Sequence, residues 1–368
     1  MIDCGKYTPE IKEYVEVRLR KHIDILVVTH IDNDHLDGLV EMLEQTPDII
    51  IGKILYNCNQ LWDGQSKKQG SEALKKDIQI LRGNLPSRQK KDNGKIKADK
   101  AITFAELIVQ KEEWWKAWKK DEYISTDTQP IALDEDDERF GVFTVLSPNK
   151  ADIEKLNTLF RVEYLRLTRH ILDEGCYLNG QEALFELVER VAAMKRANYK
   201  LIAPLKTSAT SITFDEKLLT EAYNYEPLGV TDENGASLAF IWQYSDKKVL
   251  FMGDADPNNV LEKLSGDGRH VFEAIKVSHH GSKHSTTHEL LCRVDSDHYF
   301  FTGGNLKDKP SLEAIMKIVG REDNRRRILH FNNTENNIVK ELFSEHSAAV
   351  RCKYSFEVSD INEYQFEY

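Results

Sequence analysis

The run Ile23-Asp24-Ile25-Leu26-Val27-Val28-Thr29 passes without a spacer into His30-Ile31-Asp32-Asn33-Asp34-His35, and no other feature constrains the chain as much. A nearly continuous β-branched, apolar run predicts a strand buried on both faces, the kind found in α/β proteins. The C-terminal end of such a strand is where α/β folds commonly place their chemistry. Here that end carries four potential ligands within six residues. Imidazole and carboxylate both suit Zn²⁺ or Mn²⁺, and a short loop can turn alternate side chains toward one point. Asp and Asn also populate ordinary polar turns. Two histidines bracketing two aspartates directly after a buried strand are more than a turn requires.

Two further segments repeat the pattern of an apolar strand ending in candidate ligands. Phe251-Met252-Gly253-Asp254-Ala255-Asp256 closes a strand expected over Lys248–Met252, and Val277-Ser278-His279-His280-Gly281-Ser282 closes one over Ala274–Val277. Strand-Gly-Asp by itself is a frequent turn, so the second segment gains weight only beside the other two. Additional strands are expected over Val142–Leu146, Ser237–Trp242 and Tyr299–Thr302, with helices over Leu36–Leu43 and Leu312–Val319. Thr8-Pro9 suits the opening of a helix striped by Ile11, Tyr14, Val15 and Leu19.

Between these flanks the character changes. Residues 61–230 are helix-rich, charged and poor in buried-strand signals, which predicts a mostly helical insertion around one core strand near 142–148. The core would then comprise residues 1–60 and 231–368. Within the insertion Arg82, Arg88, Lys90, Lys91, Lys95, Lys97 and Lys100 form a basic stretch, followed by Trp114, Trp115 and Trp118. A solvated loop and a packed helix are the plain reading of these, and a nucleic-acid surface is the alternative. Helices are also suggested by Ile153, Leu156, Leu159 and Phe160, and by Leu184, Leu187, Val191 and Met194. His170 reads as a structural or surface residue, and His284 and Ser285 as loop residues near a site mouth.

Composition narrows the partners. The net charge of −11 over 368 residues means that any nucleic-acid-binding face must be local. No apolar run approaches the roughly 20 residues of a membrane span, and Asp3, Lys6 and Glu10 interrupt any signal-peptide pattern. The expectation is a cytoplasmic protein without membrane insertion. Five scattered cysteines, none in a C-x-x-C pair, argue against a disulfide framework or a cysteine-rich zinc knuckle.

In their order, the three ligand segments resemble the metallo-β-lactamase fold superfamily, whose signature H-x-H-x-D-H reads here HIDNDH, with Asp32 at the middle histidine. That replacement is similar to the hydrolase domain of the ComEC type, found in DNA-uptake competence proteins and in free-standing relatives. MIDCG at Met1–Gly5, TVLSP at Thr144–Pro148, NGASL at Asn234–Leu238, and FMGDAD followed by KVSHHGS match the same type. The likeness covers roughly residues 1–60, 140–150 and 230–320. It implies an α/β fold of the αββα sandwich kind, interrupted by the helical insertion. It also implies that His30 and Asp32 hold one metal ion and that Asp34 and His35 hold a second. Asp254 would bridge the two, His279 would complete the second site, and His280 would serve as ligand or proton donor. Two divalent ions, zinc or manganese, about 3.5–4 Å apart can bind a hydroxide between them and polarise a phosphoryl or carbonyl oxygen.

The chain departs from that pattern in three places. Glu233-Asn234 stands where many members of the superfamily carry a third histidine for the first metal, and oxygen is a harder ligand than imidazole. Lys309-Pro310 stands where the ComEC type tends to show G-H-P, so a ligand is replaced by a cation able to stabilise developing negative charge. MIDCG normally follows two or three strands, so the chain is expected to start late relative to that type, through an N-terminal truncation, a partner strand or a misassigned start. The reaction implied is hydrolysis of a nucleic acid or nucleotide phosphodiester, with Asp34 or the bridging hydroxide as base and His280 or Lys309 assisting the leaving oxygen. The basic stretch and the tryptophans would contact backbone and bases. Two alternatives stay open: hydrolysis of a small ester, lactone or thioester at the same site, and a non-catalytic subunit that docks on a protein partner through the insertion and keeps a vestigial site.

Overall fold

The computed structural model describes residues 1–57, 97–118, 123–132, 141–156, 213–264, 266–303, 308–323, 325–332 and 335–360. The basic stretch from Arg82 to Lys95, His170, Leu159 and Phe160, and the helix expected over Leu184–Met194 lie outside the described residues; residues 150–156 are helical, with Ile153 and Leu156 buried as expected.

The fold is mixed α/β, and six of its strands, those opening at His22, Val142, Ala239, Lys247, Ala274 and His298, begin within two residues of where the sequence places their starts. β1 (His22–Val28) pairs in parallel with β2 (Ile50–Tyr56), and the connection between them carries a long helix, Asn33–Gln45. Thr8 caps the first helix, Pro9–Glu13, by accepting a hydrogen bond from the Ile11 amide, as the Thr-Pro pair leads one to expect. The larger sheet has eight strands. β3 (Ile131–Ala132), β4 (Val142–Ser147), β5 (Ala239–Tyr244), β6 (Lys247–Phe251), β8 (Ala274–Lys276), β10 (His298–Phe301), β11 (Arg327–Phe331) and β12 (Phe356–Asp360) follow one another from one edge to the other. It is antiparallel from β3 to β6 and parallel from β6 to β12. A separate parallel pair joins β7 (His270–Phe272) to β9 (Val294–Ser296).

Alternation along β1 distributes its side chains to two cores. Ile25 and Val27 meet Leu55, Phe143, Val145, Leu238 and Phe240, residues of both sheets. Leu26 and Val28 face the opposite way, against Leu36, Leu39 and Leu43 of the Asn33–Gln45 helix. A third core covers the far face of the large sheet, where Leu250, Ile275, Tyr299 and Leu329 pack under helices that include Leu312–Val319. β1 is therefore enclosed on both faces, the condition its apolar run demanded.

The tryptophans fall on the plain side of their two readings. Trp114 and Trp118, on and just beyond the helix Glu112–Ala117, are buried, and their indole N–H groups donate to Ile49 O and Tyr56 O, each at 3.0 Å. Both rings are spent on the core against β2, so the expectation that they stack on bases is not met. Val142–Ser147 joins the large sheet, as expected. The strands β2, β3, β7, β9, β11 and β12 match none of the strands expected from the sequence. No helix among the described residues is long and apolar enough to cross a membrane.

Candidate metal centre

Three strand ends converge. After β1 the chain delivers His30, and Asp32 then takes the N-cap position of the Asn33–Gln45 helix without using its side chain as a cap. Asp34 and His35 follow on the first helical turn. After β6, Gly253 turns the chain at φ +50°, where an added Cβ would lie 2.4 Å from Leu238 O, so only glycine fits. Asp254 comes next. After β8, a single 3₁₀ turn, Ser278–Gly281, presents His279 and His280, both in the left-handed region at φ 50° and 55°. Two consecutive non-glycine residues there cost about 1–2 kcal/mol each and need outside support. The bond from His279 N to Gly253 O, 2.9 Å, ties this turn to the neighbouring ligand loop.

Asp254 is the hub, with its side chain 1% exposed. His30 Nε2 and His279 Nε2 stand 3.6 and 3.4 Å from its Oδ2. His35 Nε2 and His280 Nε2 stand 3.4 and 4.0 Å from its Oδ1. Asp32 Oδ2 is 3.9 Å from His30 Nε2, and Asp34 Oδ2 is 3.4 Å from His280 Nε2. Two sets result: His30, His279 and Asp32 on the Oδ2 side, and His35, His280 and Asp34 on the Oδ1 side. The resemblance assigned His279 to the set of Asp34 and His35. Here it lies beside His30 instead, and His280 takes the place next to His35, because the left-handed turn points the two rings to opposite sides of Asp254.

The tautomers follow from what lies behind each ring. His35 Nδ1–H donates to Asp3 Oδ2 at 2.7 Å. His280 Nδ1–H donates to the carbonyl of Thr302. Thr29 Oγ1 donates to Asp3 Oδ2 at 2.7 Å, which leaves its lone pair to accept His30 Nδ1–H at 3.1 Å. Every one of these three rings thus turns Nε2 toward Asp254, the arrangement in which an imidazole is ready to bind a cation. Asn234, buried, places its amide 3.3 Å from His279 Nδ1.

Charge follows the same geometry. Burial pushes His35 down, but Asp254 and Asp3 on either side carry it up to about 10. Its Nε2–H then donates to His280 Nε2 at 2.9 Å. Burial lowers His30 and His280, and it lowers His279 to about 4 against the pull of Asp254. Burial raises Asp254, yet the charges of His35 and His30 win and hold it well below the usual carboxylate range. Asp34 is likewise held low, chiefly by its bond to His280. Neutral His30, His279 and His280 facing ionised carboxylates are in the protonation state that a metal needs, whereas His35 must first give up a proton.

The donor set fits a cation on its own chemistry. His30 Nε2 and Asp254 Oδ1 are buried and make no hydrogen bond. Ligand atoms around a tetrahedral ion with bonds of about 2.0–2.1 Å stand roughly 3.3–3.4 Å apart. Most of the nitrogen–oxygen approaches above are near that spacing and too long for good hydrogen bonds. His30, His35 and Asp254, and likewise Asp34, His35 and His280, form groups able to hold a metal ion.

No protein-family model matches this chain, and neither a curated protein nor a solved structure does. The chemistry of the centre is therefore carried by its own residues. Lys309 is half-buried next to the His279–His280 turn, since Ser311 N bonds Gly281 O at 2.9 Å, and its charge helps to depress His279. His284 binds the Leu228 amide, and Ser285 lines a cavity with Met252, Ile275 and Val277. Neither belongs to the convergent groups.

Sequence reasoning missed three supporting residues. Asp3 was visible only as part of MIDCG, with no role attached, and it orients His35 from 32 positions away. Ser237 was visible only within NGASL, with no role attached, and its hydroxyl accepts the Asp254 amide at 3.0 Å. Lys276 ends β8 with its side chain 15% exposed and its Nζ 3.8 Å from Asp254 Oδ1. An unbroken strand followed by KVSHH could have flagged that lysine, because an inward charge at a strand end needs a partner.

Proposed function

We propose that this protein is a two-metal hydrolase of the metallo-β-lactamase type, built on an αββα sandwich and acting on phosphodiesters of a nucleic acid or nucleotide. What carries the reading is the Asp254 carboxylate, faced on each oxygen by two imidazole Nε2 atoms within 4.0 Å and, beyond them, by Asp32 on one side and Asp34 on the other. The core shared by the two sheets, with helices on their outer faces, supports the sandwich.

Two divalent ions, zinc or manganese, would supply an activated water and polarise the oxygen of the scissile bond. His30, Asp32 and His279 would hold one, His35, His280 and Asp34 the other, and Asp254 would bridge them. Asp34 has the most exposed side chain of these ligands, at 36%, which places it where a proton from the activated water could pass out to solvent. His280 is turned inward as a ligand, which leaves Lys309 to steady the leaving oxygen. A phosphodiester is favoured over a neutral ester because Lys276 and Lys309 both bring positive charge to the centre.

The test is metal analysis of the purified chain beside Asp254→Ala, with DNA, RNA, cyclic dinucleotides and a thioester offered as substrates. The variant is expected to lose at least one metal equivalent and all hydrolysis. Undiminished turnover in Asp254→Ala removes the two-metal mechanism, and turnover of the thioester alone moves the substrate to a carbonyl.

A further inference from the structure

The two ligand sets around Asp254 are chemically alike: each has two imidazoles, one aspartate and one oxygen of the shared carboxylate. Equal donors predict equal affinity unless something outside the ligands separates them. Two features do, and both act on the Oδ1 side.

The first is Lys276. Its Nζ is anchored on Gly253 O at 2.9 Å and stands 3.8 Å from Asp254 Oδ1. An ammonium at that place is a resident cation next to the oxygen that a second ion would use, and like charges repel strongly in a buried site. The second is crowding. His35 Nε2 and His280 Nε2 lie 2.9 Å apart, closer than the roughly 3.3–3.4 Å between two nitrogens on one tetrahedral ion, so this pair must open to admit a metal. On the Oδ2 side His30 Nε2 makes no hydrogen bond, so no nitrogen–nitrogen contact of its own has to be broken there, and its oxygen neighbours stand at 3.6 and 3.9 Å. Asp3 behind His35 acts in the opposite sense by making that ring a better donor. It works through the imidazole, however, whereas the ammonium stands at the shared carboxylate itself.

The structure assigns Lys276 the role of a positioning charge that makes the two metal sites unequal: we infer that the His30–Asp32–His279 side fills first and tightly, and that the His35–His280–Asp34 side fills second and weakly. The inference rests on the two-metal reading. The centre would then work with one permanent ion and one that exchanges.

Chelator-treated full-length protein, titrated with Mn²⁺ alone and followed by electron paramagnetic resonance of the free ion, reads this without any substrate. Wild-type protein should bind in two steps whose affinities differ by at least about tenfold. Lys276→Gln keeps a donor for Gly253 O and removes the charge, and should tighten the weak step about tenfold while leaving the tight step in place. Asp34→Asn, independent of whether the lysine variant folds, should abolish the weak step and spare the tight one. A weak step unchanged or weakened in folded Lys276→Gln overturns the inference, as does loss of the tight step in Asp34→Asn, which would reverse the order of filling. Two equal steps in wild type remove the inference and leave the two-metal reading standing. No bound metal in wild type removes the reading itself.

Discussion

Replacing Asp3 by asparagine probes the support of the centre without touching a candidate ligand. Asp3 accepts three hydrogen bonds: Thr29 N–H at 2.8 Å on Oδ1, and Thr29 Oγ1–H and His35 Nδ1–H, each at 2.7 Å, on Oδ2. Asparagine has the same shape but one acceptor oxygen, so its amide N–H₂ must confront at least one of these donors. It also removes one counter-charge of the His35 imidazolium, leaving Asp254 and Asp34. Breaking a buried charged pair in this way costs about 3–5 kcal/mol. In the metal-free protein the loss depends on pH in a defined direction. The folded pKa of His35, about 10, lies above its ordinary value of 6.5, so its stabilising contribution is complete below pH 6.5 and disappears as pH rises through 10. Urea unfolding of chelator-treated wild type and Asp3→Asn should therefore show a gap of about 3–5 kcal/mol at pH 6 that narrows toward pH 10. The same variant should bind metal roughly 10- to 100-fold more weakly, because an outer partner of a ligating histidine is lost. A gap of the same size at both pH values, or none at pH 6, would refute the claim that Asp3 works through a charged His35.

Three other outcomes follow from the same geometry. Metal binding on the Oδ1 side must displace the His35 proton, so at pH 8 calorimetry in buffers of different ionisation enthalpy should report about one proton released by that ion, with none released if His35 is already neutral. Gly253→Ala puts a methyl group 2.4 Å from Leu238 O at a left-handed φ and should destabilise the fold by more than about 2 kcal/mol, read as a lowered Tm; an unchanged Tm would mean that the turn into Asp254 can relax. Trp118→Phe removes the indole bond to the buried Tyr56 carbonyl and should cost about 1–3 kcal/mol of stability while leaving oligonucleotide affinity unchanged, the reverse of what a base-stacking residue would do.

The sequence alone determined the buried strand β1, the helix Leu312–Val319 to the residue, and the histidines and aspartates that converge on the centre, because these signals are local. An apolar β-branched run needs two covering layers wherever it lies, and a histidine or aspartate at its end is legible without knowing its neighbours. Short strands such as β7 and β9, three residues each, carry no pattern strong enough to read, since their partners supply most of their stability. The pairing of ligands was decided by tertiary structure: His279 and His280 are adjacent in sequence, and only the left-handed turn sends one to each side of Asp254. Asp3 and Lys276 also gained their roles only in three dimensions. The energy of a buried charge depends on what stands within a few ångströms of it, and those neighbours come from strands that the chain brings together over distances no local pattern records.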